Sequence, residues 1–130
     1  MFSHIKTSKE NKEVVTQLTN KLNLGAENVI ARIALAHSLA QDEKLDLKDI
    51  KDSGGKEYSK NVLFGEYFDT YLGMLCSKYK LNPRNKDISK YVKIHIDKGL
   101  QLINSEINQN SYIDGFDFLK EIIHKDLEVR

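Results

Sequence analysis

The segment Asn28–Leu39, NVIARIALAHSL, is apolar or small at almost every position from Val29 onward, broken only by Arg32, His37 and Ser38. Most helices in a small domain show one apolar stripe and one wet face. A helix built from this segment has no wet face to offer, so it has to be covered from several sides. In a chain of 130 residues, either the other helices do this or a second copy of the chain does. The segment is therefore expected to be the central helix and an oligomer seam. Arg32 is its one fixed charge. An unpaired buried charge costs several kcal/mol, so Arg32 is expected at the rim or paired with a carboxylate, with Glu66 the candidate partner.

The rest of the chain is read around this helix. Phe2–Thr7 reads as a short strand. A helix follows from Lys9 to about Leu22, with Ser8 as its cap and Val14, Val15, Leu18 and Leu22 at helical spacing. Asn23-Leu24-Gly25 is a turn in which Gly25 tolerates positive φ. Strand, helix, turn and apolar helix together match the ribbon-helix-helix plan. Gln41–Asp52 reads as an acidic loop with a brief strand at Leu45–Leu47. Ser53-Gly54-Gly55 is a turn, and Lys56–Leu63 the returning strand of a small hairpin. Glu66–Tyr79 reads as a third helix with Tyr67, Tyr71, Met74, Leu75 and Tyr79 along one side. A long fourth helix reaches about Asn108, with Ile88, Val92, Ile96, Gly99, Leu100, Ile103 and Ile107 in one stripe. Glycine in mid-helix costs about 1 kcal/mol relative to alanine; close approach of a neighbouring helix accounts for Gly99. A last helix, Gly115–Leu127, carries Phe116, Leu119, Ile122 and Ile123 on one face. The expected fold is mainly α: a ribbon-helix-helix-like N-terminal part, a small hairpin and three further helices, in one domain over residues 1–130.

Charge is unevenly placed. The formal net charge is only +1, so an argument for nucleic acid must rest on clustering. Between Lys78 and Lys98 seven cations, Lys78, Lys80, Arg84, Lys86, Lys90, Lys93 and Lys98, stand against Asp87 and Asp97. Lys86, Lys90 and Lys93 share one helix edge opposite the apolar stripe. Such an edge is either a solvated face or a ridge that tracks phosphates, where each lysine releases a counterion on binding. The strand offers a second surface, with His4 and Lys6 on one face; an ordinary edge strand accounts for it equally simply.

Catalytic patterns are sparse. Ser53-Gly54-Gly55-Lys56 is too short for a phosphate loop of the Walker type. His95 and Asp97 point to different helix faces, and His95 is expected as a hydrogen-bonded core histidine. Cys76 sits in an apolar helix and is expected to be inert. A single cysteine forms no disulfide framework, as in cytosolic proteins, and four scattered histidines give no ligand-spaced pair for a metal. No cofactor is expected. The N-terminus turns polar by residue 6 without a signal-peptide core, and no apolar run approaches the roughly 18–20 residues of a membrane span.

Three short patterns occur in order: Ala31-Arg32-Ile33-Ala34-Leu35 with Ser38-Leu39, Leu63-Phe64-Gly65-Glu66, and His95-Ile96-Asp97-Lys98-Gly99-Leu100. With them the chain resembles, over roughly residues 3–124, the DndE family of bacterial DNA phosphorothioation systems. The resemblance implies a small, non-catalytic, cytoplasmic DNA-binding subunit that forms tetramers and favours nicked duplex DNA. In such systems other subunits, a cysteine desulfurase, DndC and DndD, place sulfur in the DNA backbone. The charge clustering, not the resemblance, assigns the DNA contacts to Lys78, Lys80, Arg84, Lys86, Lys90 and Lys93. Two other readings stay open: a ribbon-helix-helix transcriptional regulator, and an assembly subunit without DNA contact.

Overall fold

The computed structural model describes residues 2–109 and 115–128. The elements run β1 (His4–Lys6), α1 (Glu10–Leu22), α2 (Glu27–Ala40), β2 (Glu57–Ser59), α3 (Lys60–Phe64), α4 (Phe68–Tyr79), α5 (Ile88–Gln109) and α6 (Gly115–Glu128). The fold is mainly α, as expected, with one two-stranded sheet. α2 is the centre. It lies along α5 and also touches α1, α3, α4 and α6. Ile30, Ala31, Ala34, Leu35, Ser38 and Leu39 are buried. The chain's own other helices cover most of α2. Val29, Ile33 and Ala36 remain half-exposed on the side facing α4 and α6.

α5 forms as its spacing predicts, and every residue of the expected stripe is buried. Gly99 meets α2 at the main chain of Ala34, leaving no room for a side chain. α1 begins one turn after β1, where the Ser8 hydroxyl and carbonyl both accept from the Asn11 N–H, at 3.4 and 3.1 Å. It ends at Asn23, which takes the left-handed conformation (φ 52°). Gly25 also has positive φ, at 136°.

The expected hairpin is not formed. Residues 47–49 make a single 3-10 turn, capped by the Asp46 side chain accepting from the Lys48 N–H at 3.0 Å. Only Glu57–Ser59 extends as a strand, and it pairs antiparallel with β1, Ile5 opposite Tyr58. The Ser59 hydroxyl then accepts from the Val62 N–H at 3.2 Å and starts α3, so residues 60–63 are helical where a strand was expected. The ribbon is thus closed within one chain. α4 also begins later than expected, after a 3-10 turn at Gly65–Tyr67, and Tyr67 and Met74 are exposed. Its inward side joins the expected Tyr71, Leu75 and Tyr79 with Phe68, Leu72 and Cys76, and Phe64 packs edge-on to Phe2 and Phe68. On α6 the inward residues are Phe118 and Ile122, Ile123 is exposed, and the side chain of Phe116 lies outside the described residues.

Among the described residues Arg32 meets no carboxylate. Its Nε donates to the Leu63 carbonyl at 2.7 Å and its Nη2 to the Val62 carbonyl at 3.3 Å. These are the orphan acceptors at the end of α3, while Glu66 is exposed. The expected Arg32–Glu66 pair is replaced by a cap on a short helix.

His95 is wholly buried between α2 and α4, with Nδ1 2.7 Å from the Ser38 hydroxyl and Nε2 2.6 Å from the Tyr79 hydroxyl. The Tyr79 oxygen accepts from the Leu45 N–H at 2.8 Å. Its hydrogen is then free for Nε2, and Nδ1–H serves Ser38. Burial, aided by the Lys78 ammonium, pushes the imidazole pKa down to about 4. An unfolded histidine titrates near 6.5, so between these values the unfolded chain holds a proton that the fold excludes. Stability therefore falls as pH drops from about 6.5 towards 4. Thermal melts across this range are expected to show that fall in the wild type and a smaller one in His95→Gln.

Candidate nucleic-acid interface

The six cations assigned to DNA divide into two groups. Lys78 and Lys93 are not surface groups. Lys78, half-buried on α4, reaches the end of α2, where its Nζ donates to the Gln41 carbonyl at 2.7 Å and lies 3.5 Å from that of Leu39. A cation at a helix C-terminus satisfies its last carbonyls and complements its dipole. Lys93 is only 7% exposed. Its Nζ donates to Asp97 Oδ2 at 3.0 Å, to the Lys6 carbonyl at 2.9 Å and to the Asp52 carbonyl at 2.7 Å. All three ammonium hydrogens have acceptors, so none is left for a phosphate. The expectation that Lys93 shares an open ridge with Lys86 and Lys90 is thereby corrected.

Lys80, Arg84, Lys86 and Lys90 are exposed. The chain between α4 and α5 holds them on a fixed frame. Lys80 ends α4 in the left-handed conformation (φ 55°). The Asn82 side chain then accepts from the Arg84 N–H at 2.8 Å, and the Asn85 side chain from the Asp87 N–H at 2.8 Å. Two consecutive Asx turns of this kind define the path of a short loop, with Pro83 in the first. Arg84 and Lys86 thus project from a defined turn. Lys90 follows in the first turn of α5 and lies 3.5 Å from Asp87. Lys90 is well exposed and Asp87 partly so; a surface pair of this kind is worth at most about 1 kcal/mol, so it competes weakly with a phosphate.

Beside Lys90 the structure brings together residues far apart in sequence. His4 and Lys6 of β1 and Lys51 of the long loop line one groove with Lys90. Lys51 carried no signal, because it sits in a segment with more carboxylates than lysines. Among the described residues, no group of three or more His, Cys, Asp and Glu is placed to hold a metal ion, and no helix is long and apolar enough to cross a membrane.

The model of the DndE family, DNA sulphur modification protein DndE, matches residues 4–111. Among solved structures, the chain is similar to the crystal structure of DndE from Escherichia coli B7A, involved in DNA phosphorothioation modification. That likeness has a TM-score of 0.65 at 19% identity and covers 77% of this chain and 96% of that one. It is similar also to a DndE mutant with glycines replaced by lysine, involved in DNA phosphorothioation, with a TM-score of 0.65 at 20% identity over 78% of this chain and 97% of that one. At such identities the likeness shows a shared fold. No curated protein sequence matches.

Proposed function

Since the chain belongs to the DndE family, whose solved members are involved in DNA phosphorothioation, we propose that it is a DNA-binding accessory subunit of a phosphorothioation complex. It holds duplex DNA, intact or nicked, by backbone phosphates in the cytoplasm while partner subunits of the DndC and DndD kind insert sulfur. The observation that carries this reading is the rigid turn presenting Arg84 and Lys86 next to Lys80 and Lys90, all exposed. Lysine contacts to phosphate position a protein without reading bases, so the grip depends on backbone and shape. A sequence-reading regulator is disfavoured, since the strand's outward face offers only His4 and Lys6. The chain itself is read as non-catalytic: of the two buried histidines among the described residues, His95 is engaged by Ser38 and Tyr79, and His37 lies 3.7 Å from Glu106.

Copies of the chain are proposed to pack, as a tetramer, through the apolar groove of about 250 Å³ that Val29, Ile33, Ala36, Tyr71 and Leu119 line; mass by light scattering tests this. Symmetric assembly would repeat the cationic turn and multiply weak phosphate contacts. For DNA, the decisive experiment is a salt titration with intact and nicked duplexes. Lys86→Ala/Lys90→Ala is expected to bind more weakly and to lower the slope of log K against log salt by about 0.9 for each lost contact. An unchanged slope moves the interface elsewhere. No binding by the wild type at low salt favours the assembly reading.

A further inference from the structure

The geometry points to a backbone-phosphate seat in the groove between the outer edge of β1 and α5, a site that deepens, and rests on, the DNA-binding reading above. Pairing with β2 uses the main chain of alternate residues. The Lys60 N–H donates to the Ser3 carbonyl at 2.8 Å and the Thr7 N–H to the Lys56 carbonyl at 2.9 Å, with Ile5 opposite Tyr58 between them. The main-chain groups of His4 and Lys6 therefore turn the other way, into the groove. The Lys6 carbonyl is taken there by the Lys93 ammonium. The N–H groups of His4 and Lys6 have no partner among the described residues, so the edge keeps donors and has lost an acceptor.

Side chains add to the same sign. The groove has a volume of about 420 Å³, and its titratable lining residues are His4, Lys6, Lys51, Lys90 and Lys93, with no carboxylate. In a chain with 20 lysines and arginines against 19 carboxylates, that segregation is a local property of the fold. Of the nearby acids, Asp97 is committed to Lys93 at 3.0 Å and Asp87 lies 3.5 Å from Lys90, which leaves Lys6 and Lys51 as the groove's lysines without an ion pair among the described residues. Asp52 Oδ2 accepts from the N–H groups of Lys9 and Gly54, at 3.0 and 2.9 Å, and these two bonds hold its pKa below the ordinary value. The Ser53 and Ser89 hydroxyls also line the groove. Main-chain N–H groups, hydroxyls and ammonium groups are the donors that contact DNA phosphates. An added peptide strand would need alternating donors and acceptors along the edge, and Lys93 has removed one acceptor. Ser89 also lines the neighbouring groove of Arg84 and Lys86, so the two sets of cations form one track.

The test compares Lys6→Gln/Lys51→Gln with Lys86→Ala/Lys90→Ala in duplex titrations against salt. Lys6 and Lys51 are exposed and make no ion pair among the described residues, so the fold should survive their loss, which circular dichroism verifies. The salt slope is expected to fall by about 1.8, two contacts at about 0.9 each, with affinity reduced roughly tenfold or more at moderate salt. Ser89→Glu, which adds a carboxylate to the groove and removes no cation, is expected to weaken binding as well. Amide resonances of His4 and Lys6, and not that of Ile5, should move on adding duplex. Normal affinity and slope in Lys6→Gln/Lys51→Gln, together with loss in Lys86→Ala/Lys90→Ala, would overturn the seat and leave the DNA reading standing. Absence of duplex binding by the wild type would end both. Amide shifts with millimolar inorganic phosphate but none with duplex would make the groove a site for free phosphate and overturn its assignment to DNA.

Discussion

Asp97→Ala is expected to destabilise the fold by about 3–5 kcal/mol, the cost of removing one partner from a buried ion pair. Asp97 and Lys93 are 6% and 7% exposed and pair at 3.0 Å. The carboxylate also accepts from the Ser8 N–H at 3.1 Å and from Asn11 Nδ2 at 2.7 Å, and Asn11 in turn accepts from Gln101 Nε2 at 2.5 Å. Truncation leaves a buried ammonium facing two neutral carbonyls and strands the Ser8 N–H ahead of α1, while Asn11 Nδ2 keeps only the Asp97 carbonyl, at 3.2 Å. Lys93→Met should cost less, because the carboxylate keeps Ser8 and Asn11. Lys93→Met/Asp97→Leu should recover part of the loss, since apolar replacement of a whole buried pair is often close to neutral. Denaturant unfolding of the four proteins gives the coupling energy directly. If Asp97→Ala stays within about 0.5 kcal/mol of wild type, the range of an ordinary surface change, the pair is not buried, and Lys93 returns to the list of possible DNA contacts.

That pair also shows where sequence reasoning stopped. Lys90 and Lys93 do fall on α5, but Lys86 lies in the turn before it, beyond the covering elements. At Lys93 the helix runs under the main chain of Lys6 and Asp52. Those partners lie 87 and 41 residues away, and no local pattern records them. The Lys93–Asp97 spacing of i, i+4 was a readable sign of an ion pair; its burial was not. Arg32 makes the same point. The need for an acceptor was legible from a guanidinium in an apolar helix, but main-chain carbonyls satisfied it, and carbonyls have no sequence signature. The α5 stripe, the central place of α2 and the engaged core role of His95 were legible because periodicity and burial cost act within one element. The hairpin was misread because Val62 and Leu63 suit a strand or a helix equally, and the Ser59 cap decides for helix.

Gly99→Ala should reverse the usual sign of its substitution. In an exposed helix interior, alanine for glycine gains about 1 kcal/mol. Gly73 is such a site: a Cβ built there meets nothing within 4 Å, so Gly73→Ala is expected to raise stability by about that amount. At Gly99 the new Cβ would overlap the carbonyl oxygen of Ala34 and lie 2.9 Å from its Cα. Main chain cannot rotate away as the tip of a side chain can, so α2 and α5 must separate along a contact that buries Ile30, Ile96, Leu100 and Ile103. Overpacking of this kind costs typically 1–3 kcal/mol and occasionally more; with a fixed obstacle, about 3 kcal/mol is expected, and more for Gly99→Val. Adding Ala34→Gly should give no rescue, because glycine keeps the atoms that clash. Denaturant melts of Gly73→Ala, Gly99→Ala and Ala34→Gly/Gly99→Ala decide the matter. Equal stabilisation by both glycine replacements would mean that α2 and α5 do not approach at the distance described, and rescue by Ala34→Gly would move the obstacle from the main chain of α2 to its side chain.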